Sequence, residues 1–274
     1  MKIQLLSDLH LETHPDWVAT PAPGADLTVL AGDIGSYQPG SRLQDPDFGL
    51  RQFSPHHGWP TPVVMVPGNH EYDGMDFDAA HARLQASCAA LGIRLLEREV
   101  WHSPLVDGQG RPARILGTTL WTDFDALVDP DAPMSAQLQA REKAYRAANY
   151  YLKKTGTTRA GQPFLAEPLR AEGLRCQQWL AEALKTPFDG STVVITHFAP
   201  SLHSADPRYG RTPSTAGFCN ALDALLDGVA LWCHGHLHAP SHYVHRGCRV
   251  VANPLGYARK GEQAHFLPRM LIDV

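Results

Sequence analysis

Short apolar runs recur along the chain, each closed by glycine, proline or polar residues: Lys2 to Leu6, Leu27 to Ala31, Val63 to Val66, Ile115 to Thr118, Thr192 to Thr196 and Leu231 to Cys233. Their length and β-branched content predict buried strands. Between them, Phe77, Ala80, Leu84 and Leu91 return at helical spacing, as do Leu169, Cys176, Leu180 and Leu184. Residues 134 to 153 also read as a helix, with Arg141, Lys143, Arg146, Lys153 and Lys154 on a solvated face. Strands alternating with helices predict a layered α/β architecture. Beyond His238 the runs Arg249 to Ala252 and Met270 to Val274 are strand-like without helical spacing, so the C-terminus is expected to complete a sheet. The stretch from Gln38 to Pro62 is too long for a plain connection and is expected to overhang a site.

The 274 residues fit one large α/β domain, and no second domain is predicted. A hydrophobic fraction of 43% with 19% charged residues fits a packed globular chain, and 23 Gly with 22 Pro imply many ordered turns. The formal charge of −4 offers no overall attraction to a polyanion, so no stable nucleic-acid partner is expected. Five cysteines, Cys88, Cys176, Cys219, Cys233 and Cys248, form no CxxC pair and indicate reduced, packed thiols. No apolar run approaches the roughly 20 residues needed to span a bilayer, so no membrane partner is expected. The N-terminal apolar stretch is too brief for a signal sequence, and cleavage after it would discard Asp8 and His10, so a cytoplasmic location is expected.

The chemistry gathers where predicted strands end. The first strand runs into Ser7-Asp8-Leu9-His10 and the second into Ala31-Gly32-Asp33. The third runs into Pro67-Gly68-Asn69-His70-Glu71, a later one into Thr196-His197, and the last into Gly235-His236-Leu237-His238. In α/β sheets, ligands bind beyond the carboxyl ends of strands, so groups distant in sequence can converge there. In D-x-H and H-x-H, alternate side chains share one side of an extended segment.

The order DxH, GD, GNH[DE], H, GHxH, each at the end of an apolar run, resembles the calcineurin-like metallophosphoesterase superfamily. The resemblance runs from Asp8 to His238 and continues through Asn253-Pro254-Leu255-Gly256-Tyr257. It implies a layered β-sheet sandwich flanked by helices, in one domain over residues 1–274, and a dinuclear metal site. Residue by residue, it assigns Asp8, His10 and His238 to one metal, Asn69, His197 and His236 to the other, and Asp33 as the bridge. This mixed N/O set suits manganese, iron or zinc, with manganese favoured. Two divalent ions roughly 3.5 to 4 Å apart lower the pKa of a shared water and screen the ester's charge. His70 is expected over the leaving group, as proton donor or charge stabiliser.

Several positions depart from relatives. Asp33 is followed by Ile34-Gly35-Ser36, whereas the protein Ser/Thr phosphatase branch carries a second acidic residue and an arginine nearby. The departure argues against that branch and removes the carboxylate that orients the motif histidine there; Asp73 is a candidate substitute. His234 is assigned as a structural neighbour, and Asn253 and Tyr257 as supporting residues. Arg211, beside His203 and Tyr209, is a candidate phosphate clamp, and His56 and His57 are candidate substrate contacts. The expected activity is hydrolysis of a small phosphate ester, a phosphodiester in preference to a monoester. Two alternatives are a DNA-repair-type nuclease, for which length and basic charge are lacking, and a non-catalytic scaffold of the same fold, which the seven filled ligand positions oppose.

Overall fold

The computed structural model describes residues 1–274, and its strands alternate side chains between two faces in a way that dictates how they stack. In chain order the elements are β1 (Lys2–Leu6), β2 (Leu27–Leu30), β3 (Val63–Met65), α1 (Phe77–Leu91), β4 (Arg94–Leu95), β5 (Glu99–Val106), β6 (Pro112–Thr118) and α2 (Met134–Thr155). A small hairpin of β7 (Thr158–Arg159) and β8 (Gln162–Pro163) precedes α3 (Ala166–Lys185) and β9 (Ser191–Thr196). Last come β10 (Leu231–His234), β11 (Ser241–His245), β12 (Cys248–Ala252) and β13 (Leu271–Asp273).

Two sheets result, one ordered β13-β1-β2-β3-β4 and the other β11-β12-β10-β9-β6-β5. Strands β1 to β4 are mutually parallel with β13 antiparallel at the edge, and β12, β10, β9 and β6 are parallel between the antiparallel edges β11 and β5. Inward-facing Ile3, Leu5, Leu27, Val29, Ile115, Val193, Ile195 and Leu231 fill the space between the sheets as one cluster. The outward set of the first sheet, Leu6, Leu30, Val63 and Met65, packs under α1 through Leu84, Cys88 and Leu91. Leu116, Val194, Trp232 and Val250 of the second sheet pack under α3 through Leu169, Cys176 and Leu180. The layering is therefore helix, sheet, sheet, helix, a β-sandwich flanked by helices. Truncating fully buried Leu5 to Ala would cost about 2–5 kcal/mol through lost transfer energy and the cavity left behind.

Helix α1 starts on Asp76, whose side chain accepts from Asp78 and Ala79 N–H, and ends on Gly92 at φ 70°, a left-handed stop that suits glycine. Five strands escape sequence reading: the two-residue β4, β7 and β8, and the longer β5 and β11. The edge strand β5 sends only Trp101 and Leu105 toward the core and carries a register irregularity between Ser103 and Val106. Strand β11, Ser-His-Tyr-Val-His, has no apolar run. The 38–62 stretch does not overhang the site: Phe48, Leu50, Phe53 and Trp59 are buried in the cluster beneath α1, and only Gln38 reaches the cleft described below.

All five cysteines are free and buried, and no helix is long and apolar enough to cross a membrane. Ser7 bridges Pro254 as a parallel pair, and the Ala31 carbonyl accepts from His197 Nδ1 at 2.8 Å. These links bring the carboxyl ends of both sheets to one edge, where the ligand-type side chains lie.

Candidate metal centre

Each chemical motif begins where its strand stops, and the backbone turns sharply there. Asp8, His10, Asp33, His236 and His238 all have positive φ, between 45° and 71°. The left-handed region costs a non-glycine residue roughly 1–2 kcal/mol, and such strain clusters at functional sites. Close packing accompanies it. A Cβ at Gly68 would lie 2.2 Å from Asp33 Oδ1, and one at Gly235 would lie 2.5 Å from Asp8 Oδ2. Only glycine admits these carboxylates so near the chain.

The structure brings the seven sequence-assigned residues together in two adjoining groups. Asp8, His10, Asp33 and His238 place one donor atom each within 4.8 Å of one another, and so do Asp33, His197 and His236. Asn69 Oδ1 lies 3.1 Å from His197 Nε2. Asp33 Oδ2 lies between the groups, 3.9 Å from His10 Nε2 and 3.2 Å from His197 Nε2. Asp8 Oδ1 is 3.4 Å from His238 Nε2.

Hydrogen bonding tests whether cations fit. The His70 N–H donates to Asp33 Oδ1 and the His236 N–H to Asp8 Oδ1, both at 2.8 Å. The other oxygen of each carboxylate, and His236 Nε2, are buried without any partner. Buried polar atoms are otherwise nearly always paired. The histidines repeat the pattern. His10 Nδ1 donates to Glu12 at 2.9 Å, His238 Nδ1 to Glu262 at 2.7 Å and His197 Nδ1 to the Ala31 carbonyl. The Nε2 lone pairs of His10 and His238 then face each other at 3.0 Å, a repulsive arrangement that a cation turns into coordination. The donors are nitrogen and oxygen with no thiolate, which fits a borderline divalent metal.

The surrounding carboxylates were not singled out by sequence reasoning. Glu12 and Glu262 hold metal-facing histidines in one tautomer, as partners of ligating histidines commonly do. Buried Glu71 accepts the N–H groups of Asp33, Ile34 and Gly68 at 3.1, 2.7 and 2.7 Å, fastening the turn after β2 to the turn after β3. The available signals were Glu12 two residues past His10 and Glu71 completing the N-H-E triplet. Electrostatics follow burial and charge. Burial opposes ionisation of Asp8, but His238 and His197 outweigh it and draw the carboxyl down to about 2. Burial, with His197, holds His236 well below the usual imidazole value. Burial also disfavours the His70 cation, yet the Asp73 and Asp33 carboxylates prevail and raise it to about 10.

His70 stands beside the centre on the wall of a cleft of about 720 Å³ that also reaches Asp33, Asn69, His236 and His238. Its Nδ1 donates to Asp73 Oδ2 at 2.5 Å, and Ser36 Oγ donates to the same oxygen at 2.9 Å. Asp73 thus occupies the orienting place left open by Ile34-Gly35-Ser36. His234 points the other way, buried, with Nε2 on Ser204 Oγ at 2.9 Å. Asn253 secures the backbone of Leu5 and Leu267, and the Tyr257 ring lies 4.2 Å from that of His10.

The expected substrate contacts fare differently. Arg211 is exposed and does not line the cleft, although its neighbours Gly210 and Thr212 do. His56 and His57 bond to Ala90 and Ser54 under the end of α1, remote from the cleft. His203 packs on His245 at 4.4 Å between ring centroids, whereas Tyr209 does line the cleft. The cationic side chains at the cleft are Lys154, Arg259 and Lys260. Lys154 therefore belongs to the cleft wall rather than to a purely solvated face of α2.

Comparison with known proteins agrees with this geometry. The family described as calcineurin-like phosphoesterase matches residues 1–240. A mimivirus protein of Acanthamoeba polyphaga, "Uncharacterized protein L509", is 22% identical over 226 residues, 77% of this chain and 73% of its own. Phosphopantetheinyl hydrolase (PptH) from Mycobacterium tuberculosis is similar in structure at a TM-score of 0.65 and 19% identity, covering all of this chain and 95% of that one. At that identity the likeness is one of fold.

Proposed function

The chain belongs to the calcineurin-like phosphoesterase family, and from that premise we propose that this metal-dependent phosphate-ester hydrolase acts on a small phosphodiester. The observation that carries the reading is the set of partnerless buried ligand atoms, Asp8 Oδ2, Asp33 Oδ2 and His236 Nε2, grouped with His10 and His238, whose Nδ1 atoms are engaged by Glu12 and Glu262. Asp8, His10 and His238 would hold one ion, Asn69, His197 and His236 the other, and Asp33 both, with manganese favoured and iron or zinc compatible. Bound by these residues, a metal pair would supply Lewis acidity toward water and the phosphoryl oxygens.

The chain's own groups carry the rest. A water that has given up one proton to solvent forms the new P–O bond, the ester P–O bond breaks, and the departing oxygen takes a proton from His70 Nε2, which regains one from solvent. Asp73 holds Nδ1 and so keeps Nε2 directed to the cleft. A diester is favoured because no arginine follows Asp33 to grip a dianionic monoester; separately, the net charge of −4 favours a small ester over duplex nucleic acid. Residues 1–274 act as one catalytic domain in this reading. A cytoplasmic setting is supported by five free, buried thiols.

Elemental analysis after manganese loading, with steady-state rates on bis-nitrophenyl phosphate and nitrophenyl phosphate, tests the proposal. Two ions per chain and a higher kcat/KM for the diester are expected. A monoester preference of tenfold or more overturns the diester assignment.

A further inference from the structure

The cleft is much larger than a phosphoryl group needs. Its volume of about 720 Å³ falls in the roughly 300–1,000 Å³ range of sites that enclose drug-sized ligands. Beside the metal-ligand residues, one part of its wall is apolar and comes from separate segments, while Lys154, Arg259, Lys260 and Asp206 line other parts. Trp121, Phe124 and Phe198 follow the second sheet's strands, Ala148 and Leu152 project from α2, and Phe218 comes from the segment before β10. The wall begins at the metal centre itself. The His236 ring lies 4.0 Å from Phe198 and 5.2 Å from Phe218, between centroids.

Three hydroxyl groups in the same walls donate to the chain's own carbonyls, while the buried Thr122 Oγ1 has no partner. Thr155 Oγ1 donates to the Leu152 carbonyl, Thr157 Oγ1 to the Tyr72 carbonyl and Thr215 Oγ1 to the Gly210 carbonyl. At the rim, Tyr151 of α2 and Tyr209 of the opposite wall both line the cleft while 55% and 68% exposed. Large aromatic side chains left open on both sides of one cleft bury apolar surface when a ligand enters.

Resting on the phosphoesterase reading, we infer that the alcohol portion of the substrate ester is an apolar chain or ring system seated between α2 and the 205–218 segment, with Tyr151 and Tyr209 closing on it as specificity-determining residues. A compact hydrophilic ester would leave this wall wet and gain nothing from it.

Alkylphosphonates test the wall without requiring turnover. Binding of methyl-, butyl- and octylphosphonate to manganese-loaded protein is measured by calorimetry, alongside manganese-dependent hydrolysis of bis-nitrophenyl phosphate. Each fully buried methylene contributes about fourfold in affinity, so the octyl compound is expected to bind at least thirtyfold tighter than the methyl compound. In the Tyr151→Ser/Tyr209→Ser double variant that ratio is expected to fall at least fivefold. Both side chains are exposed, so a thermal melt within a few degrees of the parent verifies folding. Equal affinities along the series overturn the inference, as does a ratio unchanged in the double variant. The phosphoesterase reading fails separately, if the apolar ligands bind in order of length but no ester is hydrolysed.

Discussion

Replacing Asp73 by Asn keeps the shape of the side chain and removes its charge, which isolates what the carboxylate does for His70. Asp73 Oδ2 accepts from His70 Nδ1 at 2.5 Å and from Ser36 Oγ at 2.9 Å, and the residue is 1% exposed. A hydrogen bond to a charged group is worth about 1.5–3 kcal/mol. If that energy is used in the transition state, its loss lowers kcat/KM by about 10- to 150-fold. The effect must depend on the leaving group. An alkoxide requires a proton as the P–O bond breaks, whereas nitrophenolate is stable enough to leave without one. Rates of Asp73→Asn on a methyl alkyl phosphate and on bis-nitrophenyl phosphate, at equal manganese content, are therefore compared. The full loss is expected on the alkyl ester and a loss of no more than a few-fold on the nitrophenyl ester. Equal losses on both esters, or loss of bound metal, refute the proton-donor role and make the His70 pair structural.

Asp33→Asn is expected to release both ions and abolish turnover, since Asp33 Oδ2 approaches donors of both groups; metal analysis and activity measured together check it, and near-parental activity removes the bridging assignment. Glu71→Ala leaves three backbone N–H groups without their acceptor, and urea unfolding should show a loss of about 3–5 kcal/mol. Glu172 concerns acid stability. Burial raises its pKa, but hydrogen bonds from Arg175 and Arg159 prevail and lower it below the usual glutamate value. A depressed carboxylate contributes stability above its unfolded pKa near 4.5 that is lost as pH falls through the folded value. The parent should therefore lose stability more steeply below about pH 4.5 than Glu172→Gln, and parallel unfolding curves from pH 6 to 3 would contradict this.

The sequence exposes those parts of the molecule that periodicity and motif order encode. Buried strands such as β1 and β9 are continuous apolar runs, and α1 and α3 carry their stripe at helical spacing. Strands β5 and β11 lie at sheet edges with one face in water, so too few apolar positions mark them. The seven ligand-type residues are legible because each must follow a strand end directly. The supporting roles of Glu71 and Glu12 are not, although both sit at short spacing to the motifs, and Glu262 carries no signal because it serves a loop far along the chain. Glu262 lies 24 positions from His238. The cleft wall is hidden for the same reason, as α2, the 205–218 segment and Phe124 meet only in the folded chain. Arg211 drew notice by its chemistry, while Lys154 passed as surface charge; which of the two reaches the cleft depends on how a loop and a helix are rotated.

The strained turns explain why those supporting carboxylates exist. Five ligand-type residues at positive φ store roughly 5–10 kcal/mol between them at about 1–2 kcal/mol each, comparable with the whole net stability of a typical domain. Asp and His enter this region less reluctantly than most residues, which brings the sum toward its lower end. Two features keep the turns from relaxing. The sandwich holds the strand ends: Ser7 is bridged to Pro254, and the N–H of Gly256 donates to the Asp8 carbonyl at 3.0 Å. The carboxylates then hold the loops, with Glu71 gathering the turns after β2 and β3 and Glu12 joining His10 to the Ser36 N–H. Glu71 binds three backbone N–H groups and Glu12 a backbone N–H together with the His10 ring, so the turns that carry the donor atoms are tied to the sandwich. Coordination energy then need not be used to form the turns. A softer loop could carry the same seven side chains, but it would have to be ordered by the metal each time it bound.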